Sequence, residues 1–456
     1  MTITTRVAML GAAGNSGEFS SDPFIAEFSG FTGFPRGIDV DDDNYIYTLW
    51  DAYPATNYNV ILLKIDPSDG SVVWSKRKFY SSNSTLPYDL AYGNNSIYVA
   101  SRNVTADRQD ILRFDLDGNL INQCRLSNTR FTLNININSD GDVCIFGEAP
   151  TTAVPICITM NATLSTIIRN DQPSWTGATR ANTNTTNNFF SDGVSVPVWS
   201  YGGNSGASAY DTRAAIYNTS TGTLTSGVDF IGGTYSGTVS GRNMIADLSD
   251  NMIYAGAFRG STNQFYGYLV SYDPSTSSSN WGYQFRNNSN TVIEGADIQP
   301  DTGQIVICGY SDGGVYSTYA AEHGFLAVVE EDGTRTSSLQ ADTGSSTKSI
   351  RAGSLKHIAG NYFAVAFIKG DRNSGVTFNG SNVKSYISLI DITNLPSGTY
   401  FSVTFTNTTS GWHFNSISNR STVGALSTSI SSVSRSRTSV SYSNTAVSYT
   451  NSVTNW

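Results

Sequence analysis

The sequence predicts an all-β chain folded as a seven-bladed β-propeller. Three observations predict it. The first is composition: aromatic residues are 12% of the 456 and charged residues only 14%, with Asn, Ser, Thr and Gly filling the polar positions. Such a chain suits many short strands joined by turns, and it is not a disordered acidic chain, which would lack the aromatics. The second is the stretch Pro35–Phe79, in which four β-branched and aromatic runs are separated by Asp/Asn/Gly turns, the pattern of antiparallel hairpins. The third is that this stretch recurs with a period near 50 residues, a repeat of propeller type rather than of a solenoid.

Within the founding repeat, Ile38 and Val40 alternate with polar residues, and Asp41 to Asn44 make a turn. Tyr45–Leu49 and Ile61–Ile65 follow as strands, and a turn at Pro67–Gly70 leads to Val72, Val73 and Trp74. Six further copies align their first turns at Asn94, Asp140, Asp192, Asp250, Asp301 and Gly360; starting from Asp42, successive turns are 52, 46, 52, 58, 51 and 59 residues apart. The second turns align at Asp69, Asp117, Asn161, Thr221, Ser275, Asp332 and Pro396, and the fourth copy is degenerate.

Phe24–Phe28 reads as one strand too many. It either adds to the last blade and zips the chain ends together, which favours seven blades, or serves an eighth blade begun by Trp412-His413-Phe414. Residues 22–410 are thus the propeller and 1–21 an ordered N-terminal arm; Val7–Gly14 is apolar, but no clear leader cleavage site follows it. Residues 411–456 form a Ser/Thr-rich tail with apolar residues every seventh position, at Leu426, Val433, Val440 and Val447. Its residues are poor helix formers, so short strand-and-bend units wrapped on something else are expected, with a partner ordering them.

A formal charge of −9 argues against a groove that tracks nucleic-acid phosphates, and no apolar run has the length of a membrane span. The four cysteines Cys124, Cys144, Cys157 and Cys308 sit in strand-like runs and read as buried free thiols, although Cys144 and Cys157 fall on neighbouring strands. Three scattered histidines, no zinc-ligand spacing, no nucleophile elbow and no phosphate loop lead to the expectation of a non-enzyme without cofactor. Asp39, Asp41 and Asp43 are a weak calcium candidate, against which Asx-turn chemistry is the plainer reading. Long loops between the second and third strands, such as Asp51–Asn59 and Ser311–Glu322, share one face of the ring, the expected recognition surface. Trp50, Tyr53, Trp199, Tyr201, Tyr310 and Tyr316 lie near it, as rings for sugar stacking or protein anchoring, or for packing between blades.

GIDVDDDNYIYTLW, NININSDGDVCIFGE and ADIQPDTGQIVICGY resemble the NHL and SBBP propeller repeats, and KIDPSDGSVVWSKRKF resembles the quinoprotein-type repeat. The quinone-binding residues have no counterpart, so that activity is not implied. The opening TTRVAMLGAAG, the LIDITNLPSGTY segment that would close the ring, and the short-period tail resemble virion-associated propeller proteins of marine tailed phages. That resemblance implies a structural or adhesive component of a tail or capsid appendage. The arm and tail would fasten to other virion proteins, the loop-rich face would meet a host glycan or protein, and a homo-oligomer is allowed. The alternative is a secreted or cell-surface bacterial binding propeller, located extracellularly.

Overall fold

The computed structural model describes residues 22–28, 33–52, 59–79, 85–103, 108–126, 131–148, 155–175, 188–203, 210–230, 239–259, 265–276, 278–286, 290–312, 322–343, 345, 348–371 and 383–407. In the tail it describes 413–416, 428–432, 437–438, 443–446 and 451–455. Every described regular element is a strand, and the strands form seven antiparallel sheets, the blades of a propeller. Blade 1 is Gly33–Val40, Ile46–Ala52, Asn59–Ile65 and Val72–Phe79, from the ring axis outward. Neighbouring inner strands touch all round the described part of the ring, and the inner strand of blade 7, Lys348–Ala359, touches that of blade 1. Blade 4 shows three described strands, and residues 176–187 before it lie outside the described residues.

The turns fall where the Asp/Asn/Gly clusters place them. Asp41, Asn138 and Asp247 each accept backbone N–H bonds from residues two and four positions on, which makes the hairpin turn locally self-sufficient. Gly70, Gly118, Gly222 and Gly333 take positive φ in the outer turns, where a Cβ would be strained. Large apolar side chains then fill the gaps between blades: Trp50 packs with Phe24, Phe28, Ile387 and Leu389, across the junction of blades 7 and 1.

Phe24–Phe28 is the outermost of blade 7's own four strands, pairing with Lys384–Asp391 in register Phe24↔Leu389 to Phe28↔Ser385. Glu27 fixes it further, accepting from Tyr386 Oη at 2.7 Å and Lys384 Nζ at 2.9 Å. The start of the chain therefore completes the last blade. Two expectations need correction. LIDITNLPSGTY takes part in closing the ring only at its start, where Leu389 pairs with Phe24; its end enters a hairpin, Gly398–Tyr400 with Val403–Asn407, laid on the outer strand of blade 6. His413–Ser416 starts no eighth blade but pairs with Ser278–Arg286 of blade 5.

The rest of the tail repeats that move. Thr428–Ser432 pairs with the outer strand of blade 3, Arg437–Thr438 with blade 2, Ser443–Ala446 with blade 1, and Asn451–Asn455 with Phe24–Phe28 of blade 7. The tail thus runs round the rim in reverse blade order. Each strand in a sheet is rotated by roughly 20–25° from its neighbour, so a fifth strand lies about 80–100° from the innermost one, along the rim. That geometry lets one segment visit successive blades; the apolar positions Leu426, Val433, Val440 and Val447 lie outside the described residues. The pairing expected from a partner is made, for these strands, by the chain's own blades.

Candidate functional site

Two groups of polar residues lie on the inner strands, and a shared irregularity places both. Each described inner strand carries a β-bulge at the same register, with one extra residue at Arg36, Tyr88, Leu133, Arg242, Glu294 and Gly353. Bulges bend a strand and re-aim side chains. The residue after the bulge is small or polar: Gly37, Asp89, Asn134, Asn243, Gly295 and Ser354. At Gly37 and Gly295 the reason is close approach, since a Cβ would stand 2.9 Å from Leu90 N and 3.2 Å from Leu355 N of the next blade.

The first group lies near the ring axis. Inner strands are sheet edges, so their axis-facing N–H groups need acceptors from outside the sheet. Asp39 Oδ2 accepts from Tyr92 N at 2.7 Å, Asp89 Oδ2 from Ile135 N at 3.2 Å, and Asp297 Oδ2 from His357 N at 2.8 Å, each reaching into the next blade. Lys356 Nζ stands 3.6 Å from Asp39 Oδ1 and 3.9 Å from Asp297 Oδ2, joining blades 6, 7 and 1. These carboxylates hold blades together. Burial pushes the Asp89 carboxyl up to about 7, against the N–H bonds of Ile135 and Leu90. Its folded pKa exceeds its unfolded one, so its contribution is complete below about pH 4 and lost as pH rises through about 7. Asp89→Asn keeps the acceptor, and urea midpoints at pH 5 and 8 should show a decline for the wild type that the variant lacks.

The second group lies at the opposite ends of the inner strands, on the face that carries the long loops. Arg351 donates to both carboxylate oxygens of Glu322, Nε at 2.5 Å, and its guanidinium sits 4.2 Å over the Tyr310 ring. Burial works against the Arg351 charge, but Glu322 and the neighbouring Tyr310 and Glu294 hold its pKa above the ordinary value. Gly353, two residues on, would place a Cβ 2.7 Å from Pro35 Cγ, and beyond that contact stands Arg36, 41% exposed and bonded to Asp51 at 2.8 Å. Both guanidinium groups are paired with a carboxylate, Arg351 with Glu322 and Arg36 with Asp51, and of the two it is Arg36 that is the more exposed.

Of the expected site residues, Tyr310 belongs to this group. Trp50 and Trp199 do not reach a surface: they are 0% and 1% exposed, Trp50 donating to Thr48 Oγ1 and Trp199 packing with Met244 and Tyr254 of the next blade. Tyr53 and Tyr316 lie outside the described residues, as do most of the long loops, and Tyr201 is described only as backbone. The calcium candidate does not assemble. Asp41 accepts from Asp43 N, Tyr45 N and Tyr47 Oη and pairs with Lys64, while Asp39 turns to the axis. Among the described residues no group of three acidic, His or Cys side chains converges on a metal position. All four cysteines are buried thiols, and Cys144 and Cys157 form no disulfide. Sequence reasoning missed Arg36, Glu322 and Arg351; for the bulges the available signal was the glycine two positions before Asp39 and Asp297, at Gly37 and Gly295.

No family model matches the sequence, and no curated protein matches it. Among solved structures, the polysaccharide lyase Uly1 superposes with a TM-score of 0.50 at 12% identity, over 78% of this chain and 90% of that one. The β-propeller domain of the Trilobed protease from Pyrococcus furiosus matches at 0.40 and 13%, over 68% and 82%. The phage phi92 endosialidase matches at 0.41 and 12%, over 82% and 70%. At these identities the likeness concerns the fold alone.

One expectation is overturned here. The reading of a non-enzyme rested on the absence of contiguous catalytic motifs, yet this fold serves a lyase. A site assembled from the strand ends of separate blades, as Tyr310, Glu322 and Arg351 are, leaves no motif in the chain.

Proposed function

We propose that this chain is a polysaccharide-recognising propeller of a phage virion, with its loop-rich face turned to the host surface. The observation that carries the recognition is the Tyr310–Arg351–Glu322 group, with Arg36 on the inner strand of the adjoining blade 1: an aromatic ring for a sugar and guanidinium groups for its acidic substituents. That the polysaccharide lyase Uly1 shares the fold agrees with that substrate class, and the phage-like opening and tail support the virion setting. Attachment to other virion proteins falls to the opposite face, where hairpin turns expose Asp43, Asp69, Asp117, Asp192 and Asp332.

The test is a glycan array of neutral, uronate-bearing and sialylated polysaccharides, with bound material also examined for chain shortening. Acidic polymers should bind, and Tyr310→Ala should weaken binding by about tenfold, the usual worth of one stacking contact. Equal binding by wild type and variant would remove the site, and binding of neutral polymers alone would remove the role of the arginines.

A further inference from the structure

On the loop-rich side, the face of blade 7 that packs on blade 6 ends in a row of cations. Lys348, Lys369 and Lys384 belong to three adjacent strands, Lys348–Ala359, Tyr362–Asp371 and Lys384–Asp391. Lys369 stands directly opposite Lys384 on one side and Ile350 on the other, and Ile350 shares its face with Lys348 two residues earlier. That face meets blade 6, since Ile350, Phe367 and Tyr386 share a core cluster with Val306, Leu326 and Leu339. Like charges directly opposite destabilise a sheet, and here they are offset locally. Lys369 Nζ donates to Phe401 O at 3.1 Å and Ser402 O at 3.0 Å, and Lys384 Nζ donates to Glu27 Oε1 at 2.9 Å. Lys369 is buried, and its pKa is lowered by that burial and by Lys348 and Lys384, with Glu27 opposing. Lys348 is exposed, and the Lys384 side chain is 46% exposed.

The row starts at the Tyr310–Arg351–Glu322 group. Arg351 lies three residues from Lys348, and between them Ser349 Oγ accepts from Glu322 N at 3.2 Å, which ties blade 6 to this strand. Further out the row passes the tip of the added hairpin, where Phe401 and Ser402 take φ of 49° and 60°. A left-handed phenylalanine is unusual, and strain of that kind collects at ligand clamps. Phe401 is half-buried, with its ring 6.5 Å from that of Tyr386. Neighbouring strands stand about 4.8 Å apart, so the backbone positions of Lys348 and Lys384 are about 10 Å apart. Arg351, Lys348 and Lys384 therefore set charge along one radial line, with the Tyr310 and Phe401 rings beside it.

We propose that an acidic polysaccharide held at Tyr310 and Arg351 runs outward along this row, with Lys348 and Lys384 pairing its further carboxylates. This path rests on the recognition proposed above and adds to it the direction of the polymer and a charge repeated along it. A nucleic acid also repeats an anion, but the formal charge of −9 disfavours a partner whose dense phosphates need many cations.

Binding of short and long acidic sugars to the full chain tests the path, with digalacturonate against polygalacturonate and sialyllactose against polysialate as probes. In a series that binds, the Lys348→Gln, Lys384→Gln double variant should lose about tenfold in affinity for the long form and nothing for the short form, the order expected for two exposed ion pairs. Its salt dependence should be shallower. The Lys348→Arg, Lys384→Arg double should bind as the wild type does. Arg113→Gln, which removes a charge at the turn end of a blade 2 strand, should change nothing. Unchanged affinity of the glutamine double for the long form, or an equal loss from Arg113→Gln, would overturn the path and leave the site at Tyr310 standing. No binding by the wild type in either series, or no effect of Tyr310→Ala, would remove that site and the path with it. Oligo(dT) bound as tightly as the long sugars, with the same dependence on Lys348 and Lys384, would make the row a nucleic-acid surface and overturn the assignment to polysaccharide.

Discussion

Deleting residues 411–456 is expected to turn a monodisperse disc into one that self-associates at micromolar concentration, with a melting temperature lower by roughly 5 °C. The reasoning starts from the edges. With the tail in place, the outer strands of blades 1, 2, 3 and 5, and Phe24–Phe28 in blade 7, each have a further strand beside them. Net hydrogen-bond gains of about 1 kcal/mol per bond are largely offset by about 1–2 kcal/mol per residue for ordering the backbone, so the thermal effect is modest. The larger effect is exposure of five rows of unpaired N–H and C=O groups, each a template for another chain. Blade 6 is an internal control, because its added hairpin, Gly398–Asn407, remains in the truncated chain. Amide hydrogen exchange should therefore accelerate in Lys76–Phe79, Arg125–Leu126 and Asp171–Trp175 and stay unchanged in Leu339–Asp342. Unchanged exchange in the first three segments, or a truncated chain that stays monodisperse, would show that the tail contributes nothing to the rim.

The parts of this fold that could be read in the sequence are those written in local chemistry. Turns announce themselves because Asp41, Asn138 or Asp247 at the first position, and Gly70 or Gly118 at the left-handed position, satisfy needs within four or five residues. Phe24–Phe28 was legible as an extra strand for the same reason: a short apolar run with no partner nearby. Choices among equivalent edges were not legible. GTYFSVTF has the strand pattern of a fourth strand in blade 7, and nothing in its residues distinguishes that edge from the outer edge of blade 6, where it lies. Nor were the candidate site residues, because Tyr310, Glu322 and Arg351 come from three strands of two blades and meet only once those blades pack. Trp50 and Trp199 misled in the other direction: a large aromatic ring at a strand end reads as a surface anchor, whereas the wedge between radial sheets widens outward and needs such volumes to fill it.

Lys356→Met should cost about 3–5 kcal/mol of stability near neutral pH, the range for leaving buried charge without its partner. Lys356 is the cation among the axial carboxylates, set between Asp39 and Asp297, both almost wholly buried. Methionine fills most of the volume, so the loss isolates charge rather than packing. Asp39 and Asp297 would still accept their N–H bonds from Tyr92 and His357, which keeps the local strand geometry in place while the cation is gone. Asp39→Asn in the same chain should recover part of the loss, because it removes one of the two carboxylates left without a cation. That recovery is the decisive measurement. A cation that merely fills space would give additive costs in the double variant, whereas coupling through charge makes the second substitution restore stability on the background of the first. Since the same lysine joins blades 6, 7 and 1 where the last inner strand meets the first, the unfolding of the single variant should begin there, with hydrogen exchange rising first in Gly33–Val40 and Lys348–Ala359.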